Sequence, residues 1–197
     1  MARLERVAGI PELPGGAAAV TLRRVDLRRS INGALAGGIA AAVWAALQPI
    51  DKRAFKSRYD DVELLGKAVT KGDAWPVSGL LLHVQNGAAF GATYAQLRRF
   101  LPGPALAQGT GMAVAEHLAL WPLVALVDRY HPRRAEMAPL KGNGRAFWQA
   151  FYRHAVFGIV LAALEAQLNA EPTESEPPPI PVSSNGHGDI KQAVGAA

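Results

Sequence analysis

Hydrophobic and polar positions fall into long blocks along this chain rather than alternating at short range. Residues 1–29 are polar, broken by Pro and Gly, and end in a basic stretch. Residues 30–50 then carry no charge, and neither do residues 74–97. Each block is long enough to cross about 30 Å of hydrocarbon, which takes roughly 20 helical residues. Two later blocks are apolar but interrupted: 105–127 by Glu116 and His117, and 146–168 by Arg153 and His154, with Glu165 near its end. Lipid rejects exposed charge, so these residues are expected to face the bundle interior or an interface. The pattern predicts an all-α fold, a four-transmembrane-helix bundle over residues 30–169.

The connecting segments differ in character. Residues 51–73 are mixed in charge and are expected to hold a short surface helix near 60–69. The link 98–104 is tight, and its two prolines suit a turn. Residues 129–145 join the third block to the fourth. Within them Lys141-Gly142-Asn143-Gly144 reads as a turn, because it lacks the strand and helix context of a phosphate-binding loop. Residues 170–197 are rich in Pro, Ser, Glu and Gly, a composition that cannot bury enough surface to order itself, so a disordered tail is expected. The polar leader is long and no cleavage site follows the first apolar block, which therefore reads as a retained helix rather than a signal peptide.

Composition supports a lipid-facing molecule. Hydrophobic residues make up 50% and charged residues 19%, against about 25% charged in a typical soluble domain. Mean hydropathy is only +0.08, because the polar ends dilute it. Cysteine is absent, which excludes disulfides, thiolate metal sites and thiol nucleophiles. The net charge of +5 comes largely from arginine clusters beside the apolar blocks: Arg23, Arg24, Arg28 and Arg29; Arg98 and Arg99; Arg129, Arg133 and Arg134. Basic flanks are what membrane topology uses. No basic face with aromatic or motif support is present, so nucleic acid is excluded as a partner and the lipid bilayer is expected instead.

The chain also repeats itself. Trp44 is followed seven residues later by Asp51, and Trp121 seven later by Asp128. Lys71-Gly72 precedes His83 much as Lys141-Gly142 precedes His154, and each histidine is followed four residues on by glycine, Gly87 and Gly158. Helices one and two therefore read as a duplicate of helices three and four. A two-helix unit ends on the side where it began, so the copies are parallel and related by an axis along the membrane normal.

The spacing of His83, Tyr94 eleven later and Pro102 nineteen later, then His117 with Pro122 five later, then His154, resembles the YagU-like inner-membrane proteins. The resemblance spans about residues 30–168. It implies a four-helix bacterial inner-membrane protein without an established biochemical activity, and it brings no catalytic residues. Together with arginine density beside the membrane, it favours cytoplasmic termini.

Candidate chemistry is confined to the polar residues within the blocks. His83 and His154 lie about 12 Å into helices that start on one side, and His117 lies ~16 Å from that side. With Asn86 and Glu116 they form a candidate intramembrane cluster. Such a set could relay protons or bind a cation, ligate haem across the bundle or hold a transition metal. Against these stands plain interhelical hydrogen bonding. No fixed-spacing ligand motif is present, so no metal site, cofactor or catalytic residue is assigned.

Gly33, Gly37, Gly87, Gly91 and Gly158 are read as helix-packing glycines that bring backbones close, within the bundle or between copies of it. Pro122 is expected to kink the third helix. Trp75 and Trp148 suit the aromatic belt. Asp51 and Asp128 are expected to form solvated pairs of little weight with Lys52, Arg53 or Arg129. The functional expectation is a non-enzymatic structural or accessory membrane protein, alone, as a homo-oligomer or within a larger complex; the alternatives are proton or ion handling and a haem- or metal-binding redox protein.

Overall fold

The computed structural model describes residues 25–170. The expected polar N-terminal segment lies outside the described residues as far as residue 24, and the expected tail from Glu171 lies outside them altogether.

Every regular element among the described residues is helical. Helix α1 spans Leu27–Ala54, capped by Asp26, whose carboxylate accepts the Arg29 N–H at 3.0 Å. The short helix α2 spans Asp61–Val69 and is capped in the same way by Asp60. Helix α3 spans Trp75–Leu97 with Pro76 in its first turn, where the missing N–H costs nothing. After a 3-10 turn at Arg98–Phe100 comes α4, Ala105–Leu120. A second 3-10 turn, Trp121–Leu123, separates α4 from α5, Val124–Tyr130. Helix α6, Gly144–Leu168, starts from an Asn143 cap.

Two boundaries differ from the sequence expectation for physical reasons. The third block is not one continuous α-helix, because Pro122 lacks an N–H and its ring crowds the preceding turn, so the backbone tightens to 3-10 there. The second block is charge-free and long enough, yet it is not among the helices apolar enough to cross a membrane. Those three are Leu27–Ala54, Ala105–Tyr130 and Gly144–Leu168. His83, Gln85, Asn86 and Gln96 lower the hydropathy of α3, since freedom from charge is not the same as apolarity.

The helices pack in the order α3, α1, α6, α4, with α1 and α6 central and with α2 laid against the start of α3. Close approach explains the order. A Cβ at Gly37 would stand 2.1 Å from the Gly87 carbonyl oxygen, and one at Gly91 would stand 2.1 Å from that of Gly33. The α4–α6 contact repeats the device, with Gly109 against Gly158 and Ala162. A third such contact joins α2 to α3: a Cβ at Gly66 would lie 2.0 Å from the Trp75 oxygen, and one at Gly79 would lie 2.0 Å from that of Val62.

The interior holds many small and polar side chains beside Trp44, Tyr94 and Phe157, while many large apolar ones lie on the exterior. Ala36, Ala40, Ala113, Leu161 and Ala162 are buried together with Gln149, Arg153 and Glu165. Val77, Leu81, Leu35 and Ile39 face outward, Leu81 at 66% exposure. Water would penalise that inverted arrangement, whereas hydrocarbon favours it.

Candidate functional site

Four aromatic side chains, one from each long helix, form a row across the bundle. Trp44 of α1 lies 5.1 Å, ring centre to ring centre, from His83 of α3, and 4.7 Å from His154 of α6. His154 in turn lies 4.9 Å from His117 of α4. His83 and His117 thus stand at the ends of the row, and both are buried.

The row forms one wall of a cavity of about 260 Å³. All five residues of the candidate cluster line it: His83, Asn86, Glu116, His117 and His154. Aromatic rings complete it, namely Tyr59, Phe90, Trp121 and Phe157 besides Trp44. Helices α3 and α4 barely touch, so the cavity lies in the gap between them, with exposed Asn86 on one lip and partly exposed Glu116 on the other.

Hydrogen bonding within the cavity is incomplete. The Nε2 atoms of His83 and His117 are buried without a partner. His154 is tied by Nδ1 to the Ala150 oxygen at 2.7 Å. A carbonyl can only accept, so that nitrogen carries the proton, and in the neutral ring Nε2 is left as a lone pair. It faces the Glu116 carboxylate at 4.0 Å. In that neutral tautomer the pair is two facing acceptors.

Beneath the cavity lies a buried charge network that the sequence expectation missed. Arg153 holds Asp51 with two bonds of 2.6 Å and Asp61 with a third of 2.6 Å. Gln149 donates to Asp51 at 2.7 Å, the Tyr59 hydroxyl to Asp61 at 2.5 Å, and the Trp44 indole to Asp61 at 3.2 Å. Asp51, expected in solvent, is 3% exposed. Asp128 was also expected to pair at the surface; it instead caps the loop, accepting the Leu140 and Lys141 amides.

Although burial opposes the charged form of Asp61, the Arg153 guanidinium and the Tyr59 hydroxyl win, and its carboxyl sits below the usual carboxylate range. Burial, with Asp61 beside it, pushes the Tyr59 phenol well above its ordinary value. One arginine against two aspartates leaves the network with an excess of one negative charge.

Helix α2 closes this end through Asp61, Leu64 and Leu65, which reach into the cavity. It is tethered to the loop after α5: His131 Nε2 meets the Leu64 oxygen at 3.0 Å, and Lys67 bridges Glu63 and Glu136 at 2.6 and 3.1 Å. A smaller cavity of about 120 Å³ lies between that loop and α2, and Tyr59, Leu64, Val127 and Leu140 line both. The opposite end of the bundle is tied shut. Arg98 pairs with the buried Glu165, Asn32 donates to the Leu168 oxygen, and Gln96 reaches Ser30 and the Asp26 oxygen. Between the two ends lie the glycine contacts and the buried Ala36, Ala113 and Leu161.

Among the described residues no group of three His, Asp or Glu side chains stands close enough to hold a metal ion. The His117 and His154 rings are in direct contact, which leaves no room for a macrocycle between them, and Trp44 separates His154 from His83. No protein-family model, curated protein or solved structure matches the chain.

Proposed function

We propose that this is a multi-pass inner-membrane protein of the YagU-like kind, with four transmembrane helices in two parallel helix-pair repeats and cytoplasmic termini. Its role is accessory rather than enzymatic, and its working part is a one-ended, ligand-binding cavity between α3 and α4. The observation that carries the reading is the meeting of five polar side chains from three helices in one pocket whose His83 and His117 nitrogens are buried and unpartnered. A buried polar atom without a partner is costly, and a bound molecule removes that cost.

The inverted exterior and the three long apolar helices support the membrane placement. The repeat is supported by similar contacts in the two halves, Gly33 with Gly91 and, one place out of the repeat register, Gly109 with Ala162. The polarity of α3 is compatible with spanning because His83 and Asn86 line the cavity and Gln96 is bonded to Ser30 and the Asp26 oxygen at the far end.

Proton or ion handling is the second reading, favoured by the approach of Glu116 to His154. A conducting path needs polar stepping stones across the whole bilayer, and between the cavity and the Arg98–Glu165 pair come the glycine contacts and the buried Ala36, Ala113 and Leu161. Reconstitution into liposomes loaded with a pH-sensitive dye separates the two. The binding reading expects no proton flux above empty liposomes at an imposed potential of about 100 mV. A flux that disappears with Glu116→Gln would replace it by the conducting one. The membrane placement is tested by extraction: the protein should stay with membranes in alkaline carbonate and leave only with detergent.

A further inference from the structure

The chemistry of the cavity selects a class of ligand. Its two charged lining side chains, Asp61 and Glu116, are both carboxylates. The Glu116 carboxylate lies 4.0 Å from the His154 Nε2, which is a lone pair in the neutral ring. The one arginine nearby, Arg153, is consumed by Asp51 and Asp61 and does not line the cavity, and no lysine lines it either. Since that network already carries one excess negative charge, the field inside favours a cation and opposes an anionic lipid headgroup.

The remaining wall is aromatic. Trp44, Tyr59, Phe90, Trp121 and Phe157 line the space, and aromatic side chains are what recognise an organic ammonium group. The unpartnered Nε2 atoms of His83 and His117 are an independent sign of a missing ligand, because both side chains are more than nine-tenths buried and line the same space.

Size narrows the class further. About 260 Å³ is below the usual range for drug-sized ligands, roughly 300–1,000 Å³. It suits one ring and an amine rather than a polycyclic molecule. Access is lateral, through the gap between α3 and α4, whose lips are Asn86 and Glu116 and whose rim includes the exposed Leu120. A molecule arriving that way must dissolve in the membrane as well as carry charge.

We propose that the cavity binds a small lipophilic ammonium compound, its nitrogen held between Glu116 and His154 and its ring packed against Trp44 and Phe157. The inference rests on the binding reading above and specifies its ligand; no chemical change of that ligand is involved.

The test uses the full chain in detergent micelles or nanodiscs, titrated with benzylammonium, whose three N–H groups can serve both acceptors, and, separately, with ethylbenzene, which has the same shape without the charge. Equilibrium dialysis measures binding, and tryptophan fluorescence reports whether Trp44 and Trp121 feel it. Saturable, one-site binding of the ammonium about tenfold or more tighter than the hydrocarbon is expected. Glu116→Gln, which keeps the shape of a partly exposed side chain, should erase most of that preference while leaving hydrocarbon binding unchanged. Weakening of ammonium binding by salt far below the tenfold level is also expected, since the pair is shielded.

Equal affinity for the two probes would overturn the ligand class while leaving a binding cavity in place. Unchanged ammonium affinity in Glu116→Gln would overturn the assigned nitrogen position and with it the proposal. Binding of neither probe by a protein that passes the extraction test would overturn both the ligand class and the occupancy of the cavity, without touching the membrane placement.

Discussion

Replacing Arg153 with Met removes a guanidinium that makes three bonds of 2.6 Å to two buried carboxylates. Methionine fills much of the stem volume, so the perturbation is chiefly electrostatic. Asp51 is then left with the Gln149 amide as its side-chain donor, and Asp61 with Tyr59 and Trp44. The three lost bonds are not additive, because they share one cation. The relevant magnitude is that of breaking a buried pair by removing one member, about 3–5 kcal/mol. At 1.4 kcal/mol per tenfold, that is a shift of more than about a hundredfold in the folded-to-unfolded ratio.

The assay is unfolding in mixed micelles of rising SDS fraction, followed by tryptophan fluorescence. The control that isolates the electrostatic origin is the triple variant Arg153→Met, Asp51→Asn, Asp61→Asn. Removing the stranded charges along with their partner should recover most of the loss, since a buried ion pair contributes little beyond a matched neutral set. A loss under about 1 kcal/mol for the single variant would refute the reasoning, because solvent must then reach the site. So would a triple variant no more stable than the single one.

Other perturbations test separate parts of the fold. Gly37→Val would drive a Cβ to 2.1 Å from the Gly87 carbonyl, a backbone atom that cannot give way; a cost of about 3 kcal/mol is expected in the same unfolding assay. Gly38→Ala meets nothing closer than 3.6 Å and should be neutral or stabilising by up to ~1 kcal/mol. Trp44→Phe keeps a ring beside His83 and His154 but deletes the indole bond to Asp61, so a loss of roughly 1.5 kcal/mol is expected.

Acidity provides the last of these tests. The folded pKa of Asp61 is depressed, so its contribution is complete above the unfolded value and disappears as pH falls through the folded one, that is, below about pH 4. For Tyr59 the folded pKa is raised, and its contribution holds below about pH 10 and disappears above it. Thermal unfolding in detergent across pH 3–11 should show both shoulders, and Asp61→Asn should remove the acidic one.

The periodic parts of the molecule are visible in the sequence, while contacts that depend on how one helix meets another are not. The apolar blocks mark where α1, α4 and α6 lie, and the spacing of four between Gly33 and Gly37, and between Gly87 and Gly91, marks the faces on which α1 and α3 meet. Asp51 was misplaced although a signal existed. It follows Gly33 by eighteen residues, about five full turns, and so lies on the same face as Gly37, Trp44 and Gln48. Reading it as a flank residue, by its nearness to Lys52 and Arg53, ignored that phase. The converse signal was Arg153: an arginine within an apolar block requires a buried counter-charge, and Asp51 and Asp61 are carboxylates near the same end of the bundle.

What no periodicity could supply is the placement of α2. Its nine residues show an amphipathic pattern that would equally suit a helix lying on a membrane surface. Two glycines on different helices, Gly66 and Gly79, decide otherwise by letting the backbones meet. That single contact turns α2 from a surface element into the cover of the cavity, and it carries Asp61 from a hydrophilic loop to the buried guanidinium. The charge excess that selects a cation is therefore a consequence of helix packing: the same aspartate on an undocked α2 would be solvated, Arg153 and Asp51 would balance, and the cavity would have lost one of the two carboxylates that make it acidic.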